Sequence, residues 1–162
     1  RKKAIISSII KKLFYKELNM AIRSLFFLIA LKVFAFSAIT PCFADAALNH
    51  FQKGNIYSKE GKYELAIEGY QKAIKINQQI ADFHYNLANT LFVSDKVKEA
   101  IIEYKKALSI NPLDSDFLRN LGIAYIEVEE ISKAEEILKN LKKMNPKNAQ
   151  YLESFLTRVK KE

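Results

Sequence analysis

Residues 81–114 read ADFHYNLANTLFVSDKVKEAIIEYKKALSINPLD, and this stretch decides the fold because its pattern recurs on both sides. Small residues return at two positions with a step of 34: Gly54, Ala88 and Gly122, then Ala66, Ala100 and Ala134. A fixed step of this size is typical of proteins built from stacked structural repeats. The sequence therefore predicts three units, 47–80, 81–114 and 115–148.

Larger apolar residues keep the same step. They form four sets, Tyr57/Leu91/Tyr125, Tyr63/Val97/Ile131, Tyr70/Tyr104/Leu138 and Ile76/Ile110/Met144. In the middle unit the spacing of the apolar residues predicts helices over about 82–93 and 97–110, each with one apolar face. Small residues at the repeated positions let the two helices approach closely, whereas a large side chain there would overpack the contact.

The ends of the helices also carry signals. Asn111-Pro112, repeated as Asn145-Pro146, should end the second helix of a unit, because the residue before proline is driven out of the helical region. Residues 149–162 place apolar side chains at Leu152, Phe155, Leu156 and Val159, which is the spacing of one helix face. We expect this segment to be a closing helix that covers the last pair.

The residue order of these units resembles the tetratricopeptide repeat (TPR). The resemblance implies an all-α fold, an α-solenoid of three TPR helix pairs in a right-handed superhelix, with a C-terminal capping helix. Residues 45–162 would form this domain. The first unit departs most from the pattern, as terminal units often do, since Lys53 and Gln78 replace the usual leucine and closing proline.

The basic charge lies in front of the repeats. Residues 1–44 hold eight basic residues and one acidic one, so they carry +7 of the net charge of +8. A nucleic-acid binder should instead carry its positive charge on the folded surface. Within this leader, the largely apolar run 25–39 carries one charge, Lys32, and is shorter than the roughly 20 residues of a spanning helix.

A basic flank, a short apolar core and small residues after it indicate a secretory signal peptide over 20–44. Cleavage is expected after Ala44, with Ala46 as the second choice. Residues 1–19 are a long basic leader or upstream translation, because Met20 would start a signal peptide of usual proportions. Two further alternatives are an uncleaved anchor at 25–39 and a lipoprotein acylated at Cys42, although the proline before Cys42 fits the second poorly.

No residue pattern indicates catalysis, a cofactor or a metal. The four glycines form no phosphate-binding loop, and the single cysteine lies in the leader. His50 and His84 would occupy equivalent places on neighbouring helices, about 8–10 Å apart, which is too far for a shared metal ion. We therefore expect no enzyme.

The TPR resemblance implies that the first helix of each unit lines a concave groove. The groove residues that we select for binding a peptide or protein segment are Asn55, Tyr85, Asn86, Asn89, Phe92, Arg119, Asn120 and Ile123. Asparagine suits this role because its amide both donates and accepts hydrogen bonds. Phe92 and Ile126 could equally belong to packing between repeats.

One TPR subclass holds a partner's C-terminal carboxylate in a clamp of basic residues and asparagines. Asn55 and Asn86 match its asparagines, but its basic positions fall on Phe51, Asp116 and Asn120. Because Asp116 would repel a carboxylate, the clamp is not expected, although Arg119 lies nearby.

The sequence thus predicts a monomeric interaction scaffold that binds a protein or peptide, binds no nucleic acid, and works outside the cytoplasm in the periplasm or as a secreted protein. The alternative is an accessory subunit of an envelope enzyme or assembly complex, anchored in the membrane by residues 25–39.

Overall fold

The computed structural model describes Met20, Ser24 and residues 45–160. The chain divides into two compact units, Arg1–Phe43 and Ala44–Glu162, and the described helices that follow belong to the second. The expectations for Ala44, for Cys42 and for the run 25–39 lie outside the described residues. None of the described helices is long and apolar enough to cross a membrane.

Seven helices and no strand make up residues 45–160. The first, α1, covers residues 45–59. The others are α2 Tyr63–Ile76, α3 Ala81–Val93, α4 Val97–Ile110, α5 Ser115–Glu127, α6 Ile131–Met144 and α7 Pro146–Val159. The fold is the all-α TPR solenoid that the sequence predicts, with three helix pairs followed by a closing helix.

Each of the helices α2 to α6 packs against the next one along the chain. In addition, α3 contacts α5, and α5 contacts α7, so these three helices form a continuous layer. The site described below lies between α3 and α5.

The repeated small residues lie where two helices touch. Ala66, Ala100 and Ala134 are fully buried. At Gly122 a methyl group would lie only 2.6 Å from Cδ2 of Leu152, a residue of the closing helix. Glycine at this position therefore sets how closely α7 can approach α5.

A left-handed residue connects the two helices of every pair. Gly61, Asp95 and Glu129 have φ angles of 72°, 65° and 60°, and they are spaced by 34 residues. Glycine adopts this conformation without strain, whereas a residue with a Cβ atom does not. The turn is therefore the same in all three units, although only the first has the residue that suits it.

The closing helix begins earlier than the expected residue 149. It starts at Pro146, and the side chain of Asn145 accepts a hydrogen bond from the backbone N–H of Asn148 (3.2 Å). Proline fits the first helical position because the N–H that it lacks would have no partner there. Asn145-Pro146 thus both ends α6 and starts α7, and the helix ends at Val159.

Candidate functional site

Two asparagine–tyrosine pairs hold the first and second helices of the first two units together. Tyr70 donates its hydroxyl hydrogen to Oδ1 of Asn55 (2.8 Å), and Tyr104 donates to Oδ1 of Asn89 (2.6 Å). The two pairs are related by the step of 34 residues. In the third unit the same positions are Ile123 and Leu138, two apolar side chains that cannot make this hydrogen bond.

Asn120 extends this arrangement across to the neighbouring unit. Its Nδ2 donates to the hydroxyl oxygen of Tyr85 (2.9 Å) and to Oδ1 of Asn89 (3.0 Å). Oδ1 of Asn89 consequently accepts two hydrogen bonds, from Tyr104 and from Asn120. This fixes the orientation of the Asn89 amide, with its Nδ2 atom directed away from both partners.

A pocket of about 230 Å³ opens beside these amides, between α3 and α5. Its lining is Asn89, Phe92, Val93, Tyr104, Asn120 and Ile123. None of these side chains is charged at neutral pH. Burial raises the pKa of the Tyr104 phenol, so Tyr104 remains a neutral donor to Asn89.

The predicted groove residues are distributed between this pocket and other contacts. Asn89, Phe92, Asn120 and Ile123 line the pocket together, and Tyr85 bonds to Asn120 at its edge. The Tyr85 ring stacks on Phe117, with 4.3 Å between the ring centroids. Ile126, which the sequence left open, is buried in the core.

Besides Tyr85, three predicted residues lie outside the pocket lining. Asn55 belongs to the pair in the first unit, as described above. Nδ2 of Asn86 donates to the backbone oxygen of Asp82 in its own helix (2.8 Å). Arg119 is directed largely towards the closing helix, because its Nη1 donates to Oδ1 of Asp116 (2.6 Å) and to Oδ1 of Asn148 (2.8 Å).

Tyr104 is the pocket residue that the sequence argument assigned only to the core. It comes from α4, the second helix of its unit, and the TPR resemblance drew attention to first helices. A signal was present, because Asn55/Asn89 and Tyr70/Tyr104 repeat with the same step and are replaced together in the third unit.

His84 lies outside this site and serves the packing of the middle unit. It is 5% exposed, and its Nδ1 lies 2.7 Å from Oε2 of Glu103 in α4. Its Nε2 lies 3.2 Å from the backbone oxygen of Gln78. Both ring nitrogens therefore have protein partners.

The helix pairs, their shared turn and their 34-residue step define a helical repeat protein with a groove between successive first helices. Two family models match: one described as TPR repeat over residues 54–94, and one described as Tetratricopeptide repeat over residues 95–158. Together they run without a gap over more than half of the chain. The chain belongs to the tetratricopeptide repeat family.

Solved TPR domains are similar in structure along nearly their whole length. The Arabidopsis OM64 TPR domain is 21% identical with a TM-score of 0.67, over 72% of this chain and 98% of that one. The second TPR domain of human RPAP3, solved with the HSP70 peptide SGPTIEEVD, is 26% identical with a TM-score of 0.65, over 72% and 97%. The first TPR of Spaghetti (RPAP3), bound to the HSP90 peptide SRMEEVD, is 21% identical with a TM-score of 0.67, over 74% and 96%. No curated protein matches the sequence.

Proposed function

We propose that this protein is a non-catalytic interaction scaffold that holds an extended segment of a partner protein between α3 and α5. The observation that carries the proposal is the fixed amide of Asn89 beside an open pocket. Its oxygen is occupied by Tyr104 and Asn120, so its two N–H hydrogens are the groups that it offers to a ligand. Every residue of an extended chain has a carbonyl oxygen that can accept such a bond.

The relatives support a ligand of this class. RPAP3 domains were solved with peptides of HSP90 and HSP70, which shows that domains of this fold bind peptides. The pocket lining supports binding rather than acid–base chemistry, because its one titratable group is the Tyr104 phenol, whose pKa burial raises further from neutral pH.

We propose in addition that the scaffold works outside the cytoplasm, as the leader suggests. A second candidate keeps the same groove but holds it at the membrane through residues 25–39, as an accessory subunit of an envelope enzyme or assembly complex. The observation that favours it is the apolar character of that run, in which Lys32 is the single charged residue. Cell fractionation with added protease separates the two, because a released domain is found in the soluble exported fraction and an anchored one in the membrane fraction.

The binding proposal is tested with peptides selected by the full chain from a displayed library of random dodecapeptides. Asn89→Asp tests the N–H donors specifically. Its carboxylate keeps an acceptor for Tyr104 and Asn120 but lacks the two N–H donors. Loss of a hydrogen bond at such a site costs about 1–3 kcal/mol. The dissociation constant, measured by fluorescence anisotropy, should therefore rise by roughly tenfold.

The matched control is Asn140→Asp, which makes the same change at an exposed position of α6 outside the pocket lining. It should leave the affinity unchanged. Two results contradict the proposal: selection of no peptide, and an equal response of the affinity to both variants.

A further inference from the structure

We propose that the pocket takes an uncharged, apolar side chain from within a partner chain and does not hold a C-terminal carboxylate. This inference rests on the proposed function and specifies its ligand. It separates this chain from the relatives solved with peptides that end in Glu-Val-Asp.

The walls of the pocket are suited to an apolar group. Phe92 and Ile123 are half-buried, and Val93 has 57% of its surface exposed beside them. Covering this surface with another apolar side chain is favourable by about 25 cal/mol for each Å² removed from water. The volume of about 230 Å³ is smaller than the roughly 300–1,000 Å³ of pockets that enclose small-molecule ligands, so it suits one side chain.

The polar edge of the pocket is suited to a main chain that continues past that side chain. The N–H donors of Asn89 can bond one carbonyl oxygen of the segment. Both hydrogens of Nδ2 of Asn120 are already used, by Tyr85 and by Asn89. Of the two asparagines at this edge, Asn89 is therefore the one whose N–H groups remain for a ligand. A single carbonyl oxygen of the segment can accept a hydrogen bond from them.

The pocket lining holds no cationic side chain that could pair with a terminal carboxylate. The cation at the pocket edge is Arg119, whose Nε donates to Oδ1 of Asn120 (3.2 Å). Its charge is paired with the carboxylate of Asp116 at 2.6 Å, and Nη1 also bonds Asn148. A carboxylate placed in the uncharged lining would lose hydration without gaining a counter-ion.

A positional-scanning library of nonapeptides, prepared once with a free C-terminal acid and once with a C-terminal amide, tests the inference on the full chain. We expect one internal position to select Leu, Ile, Met or Phe, and the acid and amide forms to bind equally well. Charge at the pocket wall should oppose this ligand, so Val93→Lys should weaken binding of the selected peptide by roughly tenfold.

Ile102→Lys is the matched control, because Ile102 is similarly exposed (54%) but lies on α4 outside the lining. It should bind the peptide as the wild type does. A requirement for the free acid would overturn the inference, as would peptides that bind and respond to Asn89→Asp but show no apolar position; the proposed function would stand in both cases. Absence of binding in both libraries would overturn the inference and the proposed function together.

Discussion

Glu129 has the least suitable side chain of the three left-handed turn residues. A non-glycine residue in this region costs on the order of 1–3 kcal/mol, and asparagine and aspartate tolerate it better than glutamate does. Glycine occupies the equivalent position in the first unit, at Gly61. The turn therefore stores strain in the second and third units that a single substitution can release.

We expect Glu129→Gly to stabilise the protein by about 1 kcal/mol, because relief of backbone strain exceeds the entropy cost of glycine. Asp95→Gly should give a smaller gain. The midpoint of urea unfolding measures both. Gly61→Ala is the reverse change and should lower the midpoint; a rise there would show that the left-handed turn carries no strain.

Tyr104 makes stability depend on pH in alkaline solution. Burial raises the pKa of its phenol above the usual value of about 10, so the folded state binds this proton more tightly than the unfolded state does. The contribution is complete below pH 10 and is lost as the pH rises above it. The tyrosinate absorbance of wild type minus Tyr104→Phe should stay near zero until the helical circular dichroism signal falls. A difference signal that rises near pH 10 while the helices persist would contradict this.

The repeated residues made much of the pocket predictable, and the remainder depended on contacts distant in sequence. Asn89 and Asn120 follow from their places in the repeat. Arg119 was expected in the groove with Asn120, but its Nη1 bonds Asn148, which lies 29 residues further along the chain. Composition and local spacing contain no information about such a pairing.

At the level of helices, the period of the apolar residues located the elements well. The helix at 97–110 has the bounds that the sequence predicts, because its apolar stripe and the Asn111-Pro112 stop agree. The closing helix was placed three residues late, since Pro146 was interpreted only as a stop for α6. Proline is also compatible with a helix start, and the Asn145 cap decides between the two.

The contact between α5 and α7 should depend on Gly122. Gly122→Ala places a methyl group 2.6 Å from Leu152, so we expect a loss of about 1–3 kcal/mol in the free energy of unfolding. Leu152→Ala removes the opposing atoms but leaves a cavity of its own. The double variant should be more stable than the sum of the two single losses predicts, and strict additivity would show that the methyl group meets no obstacle.

Ala100 tests the close approach of α3 and α4. It is fully buried, whereas Lys98 on the same helix is exposed. Ala100→Leu should lower the midpoint of urea unfolding through overpacking of about 1–3 kcal/mol, while Lys98→Leu should change it little. Equal midpoints would contradict this packing.

For the molecule as a whole, residues 45–162 should fold without the leader into a helical monomer. Three helix pairs and a closing helix bury the apolar faces of the array against one another. Far-ultraviolet circular dichroism of this fragment should show a strongly helical spectrum with cooperative unfolding. A coil spectrum would mean that residues 1–44 are needed for folding.

The connections between helices differ in length. Four residues separate α2 from α3 and α4 from α5, but Asn145 alone separates α6 from α7. Because a single residue connects α6 to α7, we expect α7 to move with the last helix pair as one rigid body. A domain fused after α7 should therefore keep a fixed orientation relative to the helix pairs. A few flexible residues inserted after Asn145 should allow α7 and the fused domain to move independently of α6.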